Sequence, residues 1–376
     1  MDARKLLVVA VASASFFMSF FSRLAWSVVS AYSSLRPTVV QDSIVFSAFF
    51  AGYVAVQLPS GLLSDRVDPR LILSPALLGL ALSSLASGLA DDMAVEYAAS
   101  LFMGLSAGWI YPATVKLMAS EFGRDELPTA MGYYSLAWPL SIVIAGAALP
   151  ALSASLGWRA PYYIIAAASA ALSASYLALR RAKEAPPRGS AGLELGVLKD
   201  PNVLTVSAAG FLFFLSYWAV TLYAYRYFLE AGLGDYEAGF AYSLLALAGI
   251  PSTVIAGTFM KKIGVKRTLV VFEAAYGLLT ALLGAARGAL LFLNAALMGF
   301  VRFVITPANS TAVSLAGRGK AGSAAGMANL FWQSSGVVAP IVAAYVLSAG
   351  GYEGLWLLSG ALAIASALMY LGLLKI

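Results

Sequence analysis

Apolar runs about 20 residues long, the length a helix needs to cross a bilayer, follow one another along almost the whole chain, parted by short clusters of charge, proline and glycine. Cutting at those clusters gives twelve stretches, near 5–31, 43–63, 70–90, 94–119, 128–152, 160–181, 203–229, 237–260, 267–286, 290–315, 320–349 and 352–375. Each is read as a helix. The first follows Arg4 and Lys5, but it is too long for the apolar part of a signal peptide and lacks a clear small-residue cleavage site, so it is expected to be retained. A long polar break, from Arg180 to Asn202 with Pro186, Pro187 and Gly189 inside it, reads as a linker. The expected organisation is an N-terminal six-helix bundle over 1–181, a cytoplasmic linker over 182–202 and a C-terminal six-helix bundle over 203–376.

The halves repeat. Gly61-Leu-Leu-Ser-Asp65-Arg66-Val-Asp68-Pro-Arg70 returns in worn form as Gly257-Thr-Phe-Met-Lys261-Lys262-Ile-Gly264-Val-Lys266, an offset of 196. Pro112 in Tyr111-Pro112-Ala113 returns as Pro307 at an offset of 195, and Gly157-Trp158-Arg159 returns as Gly351-Tyr352-Glu353 at 194. Three matching offsets indicate one duplicated half, the pattern of a pseudo-symmetric membrane carrier.

Composition agrees with the pattern. Hydrophobic residues make up 61 % of the chain, charged residues 11 %, and mean hydropathy is +0.83, whereas soluble domains carry about 25 % charge. The expected class is an all-α membrane protein of twelve transmembrane helices. Lys and Arg fall mainly on the side that holds both termini, with Arg36, Arg159, Arg226 and Arg287 on the other. That asymmetry puts both termini in the cytoplasm. The net charge of +6 therefore reports topology and gives no reason to expect nucleic acid. With no Cys and no His, disulfides, thiolate metal sites and the usual zinc ligand are excluded. No cofactor or metal is expected, and no set of residues is equipped for catalysis.

With these features in place, the chain resembles the major facilitator superfamily over essentially its whole length. Gly61, Asp65, Arg66 and Arg70 match the family's G-x-x-x-D-R-x-G-R-R/K signature between the second and third helices, with Asp68 and Pro69 replacing the Gly and the first trailing base. The resemblance implies a gate: Asp65 would contact the N-terminus of the eleventh helix, where a carboxylate is favoured, and latch the bundles on the cytoplasmic side. The alternative is that these charges only set topology in a tight turn. Many relatives carry an Arg where this chain has Ser100, and the fifth helix lacks the G-x-x-x-G-P pattern of drug/proton antiporters. The Gly104-x-x-x-Gly108 spacing reads as close helix packing.

Two arginines stand out. Arg23 in the first span and Arg302 in the tenth sit well inside apolar runs, where insertion costs about 2.5–3.5 kcal/mol. Glu273 is the one carboxylate read as clearly inside a span, and it is the coupling candidate. The family fold lines its cavity with the first, fourth, seventh and tenth helices, which implies that both arginines reach it, and guanidinium forks suit carboxylates and phosphates. Arg23 also resembles the first-helix Arg of the anion:cation symporter branch. Snorkelling or bonding to helix carbonyls is the alternative for both. Ser19, Trp26 and Ser30 are expected to share a face with Arg23, and Thr306 and Asn309 to follow Arg302. Tyr111, Tyr134, Trp138, Tyr217, Thr221, Asn329, Trp332 and Gln333 complete the candidate lining, with interhelical packing as the competing role for each.

The resulting expectation is a secondary transporter, monomeric, in the plasma membrane, moving a small organic anion by alternating access. Proton symport, anion exchange and uniport stay open. So do a carrier for a neutral or cationic solute and a non-transporting receptor or scaffold.

Overall fold

The computed structural model describes residues 3–64, 66–123, 125–179, 199–317 and 321–376. Asp65, Arg124 and most of the expected linker lie outside the described residues. Within them every regular element is an α-helix. Two compact units divide the chain, Met1–Gly192 and Leu193–Ile376.

The first unit holds α1 (Ala3–Val29), α2 (Val39–Ala55), α3 (Gln57–Ser64), α4 (Pro69–Gly88), α5 (Met93–Gly108), α6 (Ile110–Glu121), α7 (Leu127–Ser135), α8 (Ala137–Leu156) and α9 (Ala160–Ala178). The second holds α10 (Pro201–Glu230), α11 (Asp235–Leu247), α12 (Gly249–Ile263), α13 (Val265–Leu283), α14 (Ala289–Ala316) and α15 (Ala321–Leu373). Nine helical segments among the described residues are long and apolar enough to cross a membrane.

Four of the expected spans are interrupted, and proline explains each interruption. The breaks at Val56, Trp109, Leu136 and Ala248 fall three residues before Pro59, Pro112, Pro139 and Pro251. A proline removes its own N–H and clashes with the carbonyl four residues back. That carbonyl belongs to the last residue of the preceding helix in every case. The residue at each break keeps right-handed helical angles, so α2 with α3, α5 with α6, α7 with α8 and α11 with α12 each continue as one interrupted rod.

Carbonyls released this way inside a bilayer must find donors within the protein. The neighbouring rod supplies them: Gln57 Nε2 donates to Gly108 O at 3.3 Å and Ser60 Oγ to Trp109 O at 3.2 Å. From α1, Ser19 Oγ donates to Ala107 O at 3.2 Å.

The repeat seen in sequence is a repeat in packing. A Cβ on Gly104 would collide with Phe49 O of α2. At an offset of 195, a Cβ on Gly299 of α14 would collide with Leu244 O of α11. Both glycines are therefore contact points at which two helix backbones touch. Gly157, with φ of 87°, ends α8, and Gly351, with φ of 61°, breaks α15 into two helices at the equivalent place. That dihedral region favours glycine, and the Gly351 break coincides with the boundary expected between the last two spans.

Candidate functional site

Each unit buries one arginine among aromatic rings. In the first, Arg23 on α1 is 2 % exposed. Its Cζ lies 4.5 Å from the Phe20 ring centroid on its own helix, and 5.5, 5.0 and 4.3 Å from Phe49, Phe50 and Tyr53 of α2. In the second, Arg302 on α14 is also 2 % exposed. Its Cζ lies 5.2, 5.1 and 4.2 Å from Phe213, Phe214 and Tyr217 of α10, and Nη1 donates to Thr306 Oγ1 at 2.6 Å.

These numbers address how a bilayer tolerates the two charges. A desolvated cation–π contact contributes about 2 kcal/mol or more, against an insertion cost of about 2.5–3.5 kcal/mol. Several rings around each guanidinium thus offset most of the cost. A planar cation stacked on rings keeps its charge and directs its N–H groups outward in the guanidinium plane, the edge a carboxylate or sulfonate approaches.

The remaining candidates divide by what holds their polar atoms. Trp26 Nε1 donates to Asp42 Oδ1 at 2.8 Å, and Tyr134 OH shares a 2.7 Å hydrogen bond with Thr114 Oγ1 while its ring stacks on Phe16. Both are buried inside the first unit. Tyr111 packs against the same Phe16 ring and is 37 % exposed. Ser30 is buried, and Trp138 stacks on Phe20 beside Arg23. In the second unit Thr221 bonds back to Tyr217 O at 2.8 Å, Trp332 Nε1 donates to Val206 O at 3.2 Å, and Asn309 Oδ1 accepts from Tyr370 OH at 2.8 Å. Asn329 and Gln333 are half-buried on α15. The structure therefore gathers Arg302, Thr306 and Tyr217 into one contact group, whereas Trp26 and Tyr134 are engaged by neighbouring helices.

The model of the Major Facilitator Superfamily matches residues 11–340. The chain belongs to that superfamily. It is 25 % identical to the probable galactarate/D-glucarate transporter GudP of Bacillus subtilis, covering 87 % of this chain and 82 % of that protein. It is 24 % identical to the probable sulfoacetate transporter SauU of Cupriavidus necator, covering 96 % of this chain and 92 % of that one. The crystal structure of the nucleoside transporter NupG overlays it with a TM-score of 0.80 at 14 % identity, covering 98 % of this chain and all 100 % of that chain. Membership makes the chain a multi-pass membrane transporter rather than an enzyme.

The superfamily's loop signature has a local structure of its own here. Asp68 and Pro69, which depart from the signature, form a helix start: Asp68 Oδ1 accepts from Arg70 N at 3.0 Å and Pro69 occupies the first helical turn of α4, both favoured choices there. Gly61 on α3 has open space where a Cβ would sit, and Arg66 is exposed. Arg70 is buried and pairs with Glu121 at the end of α6 and, at 3.7 Å, with Asp68. Glu121 also accepts from Arg4 at 3.1 Å, and its side chain is 4 % exposed. Glu121 is thus a bridge joining α1, α4 and α6. Lys5 bonds Glu126 at 2.6 Å alongside. That hydrogen bond holds the Glu126 carboxyl below the usual carboxylate range, so the contact persists above that range and is lost as pH falls through the lowered value.

Glu273 is fully buried on α13, but it is not the one acid inside the helices. Asp42 and Glu96 are also buried, in the first turns of α2 and α5. Asp42 receives the Trp26 indole, and Glu96 Oε1 accepts from Tyr162 OH at 3.4 Å. Both stand beside the loops that open their helices, so hydropathy alone places them at the membrane edge. The only hint of their burial was an acid in a helix's first turn, close before a long apolar run.

Proposed function

We propose that this chain is a secondary transporter moving a small organic anion by alternating access, with Arg23 and Arg302 as its charge anchors. One observation carries the reading: a guanidinium in each bundle, 2 % exposed, is seated on aromatic rings rather than drawn toward a helix end. The rings offset most of the cost of holding a delocalised cation at such a depth without neutralising its charge. The relatives' names support the class of cargo, since galactarate, D-glucarate and sulfoacetate are all small anions with two acidic groups or an acid beside hydroxyls.

In this reading Thr306 and Tyr217 fix the Arg302 fork, Tyr111, Asn329 and Gln333 contribute shape, and Trp26 and Tyr134 hold the helices that carry the site. Gly61, Asp65, Arg66 and Arg70 form the cytoplasmic latch, with Arg70 braced by Glu121. The protein is a monomer in the plasma membrane with both termini in the cytoplasm, an orientation supported by the Lys and Arg asymmetry. Its basic charge serves topology, not nucleic acid.

A thermal-shift screen of the purified protein tests the cargo class. A small carboxylate or sulfonate at about 100 times its dissociation constant should stabilise the fold by about 2.7 kcal/mol, and neutral sugars and amines should not. Stabilisation by amines or neutral sugars alone would turn the reading toward a neutral or cationic solute.

A further inference from the structure

The packing that seats the two arginines repeats at one offset. Phe20 and Phe214, Trp138 and Trp332, and Ser141 and Ser335 are each 194 residues apart. In the first unit Trp138 of α8 stacks on Phe20 of α1, with ring centroids 5.4 Å apart and planes inclined by 28°. In the second, Trp332 of α15 stacks on Phe214 of α10 at 5.5 Å and 15°. Both phenylalanines are 6 % exposed, and both indoles are half-buried. Ser141 Oγ donates to Trp138 O at 2.6 Å, and Ser335 Oγ to Trp332 O at 2.5 Å. Each phenylalanine is also a ring against which a guanidinium rests, 4.5 Å from Arg23 Cζ and 5.1 Å from Arg302 Cζ.

The cations do not follow the repeat. The position 194 residues after Arg23 is Tyr217, and Arg302 stands on α14 instead. What the two units share is therefore the tryptophan-backed phenylalanine, met by the arginine of its own helix in the first unit and by that of a neighbouring helix in the second. The second pair is also the more firmly held. Trp332 Nε1 donates to Val206 O at 3.2 Å, and a Cβ on Gly210 would overlap the indole. At the corresponding place in the first unit stands Phe16, whose ring meets Phe20 edge-on at 5.1 Å. A guanidinium gains from a ring only over its face, so a phenylalanine free to turn would lose that contact for part of the time. A rigid indole stacked on the ring removes this freedom, and aromatic pairs of this kind change an equilibrium about two- to tenfold.

We propose that Trp138 and Trp332 are positioning residues of the transport site: each fixes the phenylalanine ring on which its unit's arginine rests, and thereby the direction of the guanidinium edge offered to the anion. The indoles act through that ring, not on the cargo. This rests on Arg23 and Arg302 being charge anchors.

Uptake by the full chain in proteoliposomes tests it, with D-glucarate as the probe and sulfoacetate where wild type does not take up D-glucarate. Trp332→Ala should raise KM about two- to tenfold and leave kcat within about twofold, and Trp332→Phe, which keeps a flat ring, should recover most of the loss. Gly210→Ala, which displaces the indole without removing it, should match Trp332→Ala. In an Arg302→Lys background no planar fork is left to aim, so Trp332→Ala should add little there. Trp138→Ala and Arg23→Lys should form the same non-additive pair in the first unit. A full, independent rise in KM on top of Arg302→Lys means that the indole touches the cargo itself, and it overturns the proposal. So does an unchanged KM in both Trp332→Ala and Gly210→Ala, or a fall in kcat alone, which marks packing only. If Trp332→Ala fails to fold, Gly210→Ala takes its place in both comparisons. Uptake of neither acid by wild type, or full uptake by Arg302→Ala, is the separate mark of a failed anchor reading, and the proposal falls with it.

Discussion

Arg302→Ala should abolish measurable uptake of the cargo anion while leaving folded protein in the membrane. A hydrogen bond from a charged group contributes about 1.5–3 kcal/mol, which is about ten- to a hundredfold in affinity. Loss of the whole fork also removes the charge that compensates the cargo's desolvation. Arg302→Lys keeps the charge but not the planar face that rests on Phe213, Phe214 and Tyr217, so it should raise KM and retain part of the rate. Arg23→Ala should behave like Arg302→Ala, because its ring set is built the same way from the neighbouring helix. The fold is expected to survive, since the desolvation cost that is relieved and the ring contacts that are lost are of similar size. Uptake kinetics, read together with the amount of monodisperse protein recovered, check this; full activity in both alanine variants would remove the anchors.

The second large effect is on stability. Gly104→Leu should prevent the first bundle from assembling, and Gly299→Leu the second, because each new side chain meets a carbonyl of the facing helix backbone instead of a movable side chain. Overpacking typically costs about 1–3 kcal/mol where side chains can yield, and here the helices themselves must part. Gly132→Ala on α7, with open space around its Cβ, is the control and should be neutral. Recovered yield and melting temperature after detergent extraction measure the difference, and a Gly104→Leu variant as stable as wild type would show that α5 can leave α2 at little cost.

Much of this architecture was legible in sequence because hydrophobic length and glycine placement are local signals. The 195-residue offset that relates Pro112 to Pro307 also relates Gly104 to Gly299, and the second pair turned out to be the matching helix contacts. Thr306 beside Arg302 was likewise legible, being one helical turn away. What was not legible depends on neighbours that helical periodicity does not encode. Arg23 was expected to share its face with Ser19, Trp26 and Ser30, yet three of its four rings come from α2, and Ser19 and Trp26 bond to α5 and α2 instead. Asn309, expected to extend the Arg302 face, is instead held by Tyr370, 61 residues away. The burial of Glu121 similarly follows from two partners, Arg4 and Arg70, that lie far from it in the chain. The prolines behind the interruptions at Val56, Trp109, Leu136 and Ala248 are in plain view, but Pro75, Pro150, Pro307 and Pro340 lie inside helices that continue past them, so proline alone does not mark where a span breaks.

The most direct measurement is uptake into proteoliposomes of paired compounds that differ only in charge: a sugar acid such as D-glucarate against its uncharged polyol, and sulfoacetate against a neutral ester. Saturable uptake of one or more of the acids, absent for its neutral partner and lost in both Arg23→Ala and Arg302→Ala, is the predicted result. Equal uptake of charged and uncharged partners, undiminished in the two variants, would contradict it.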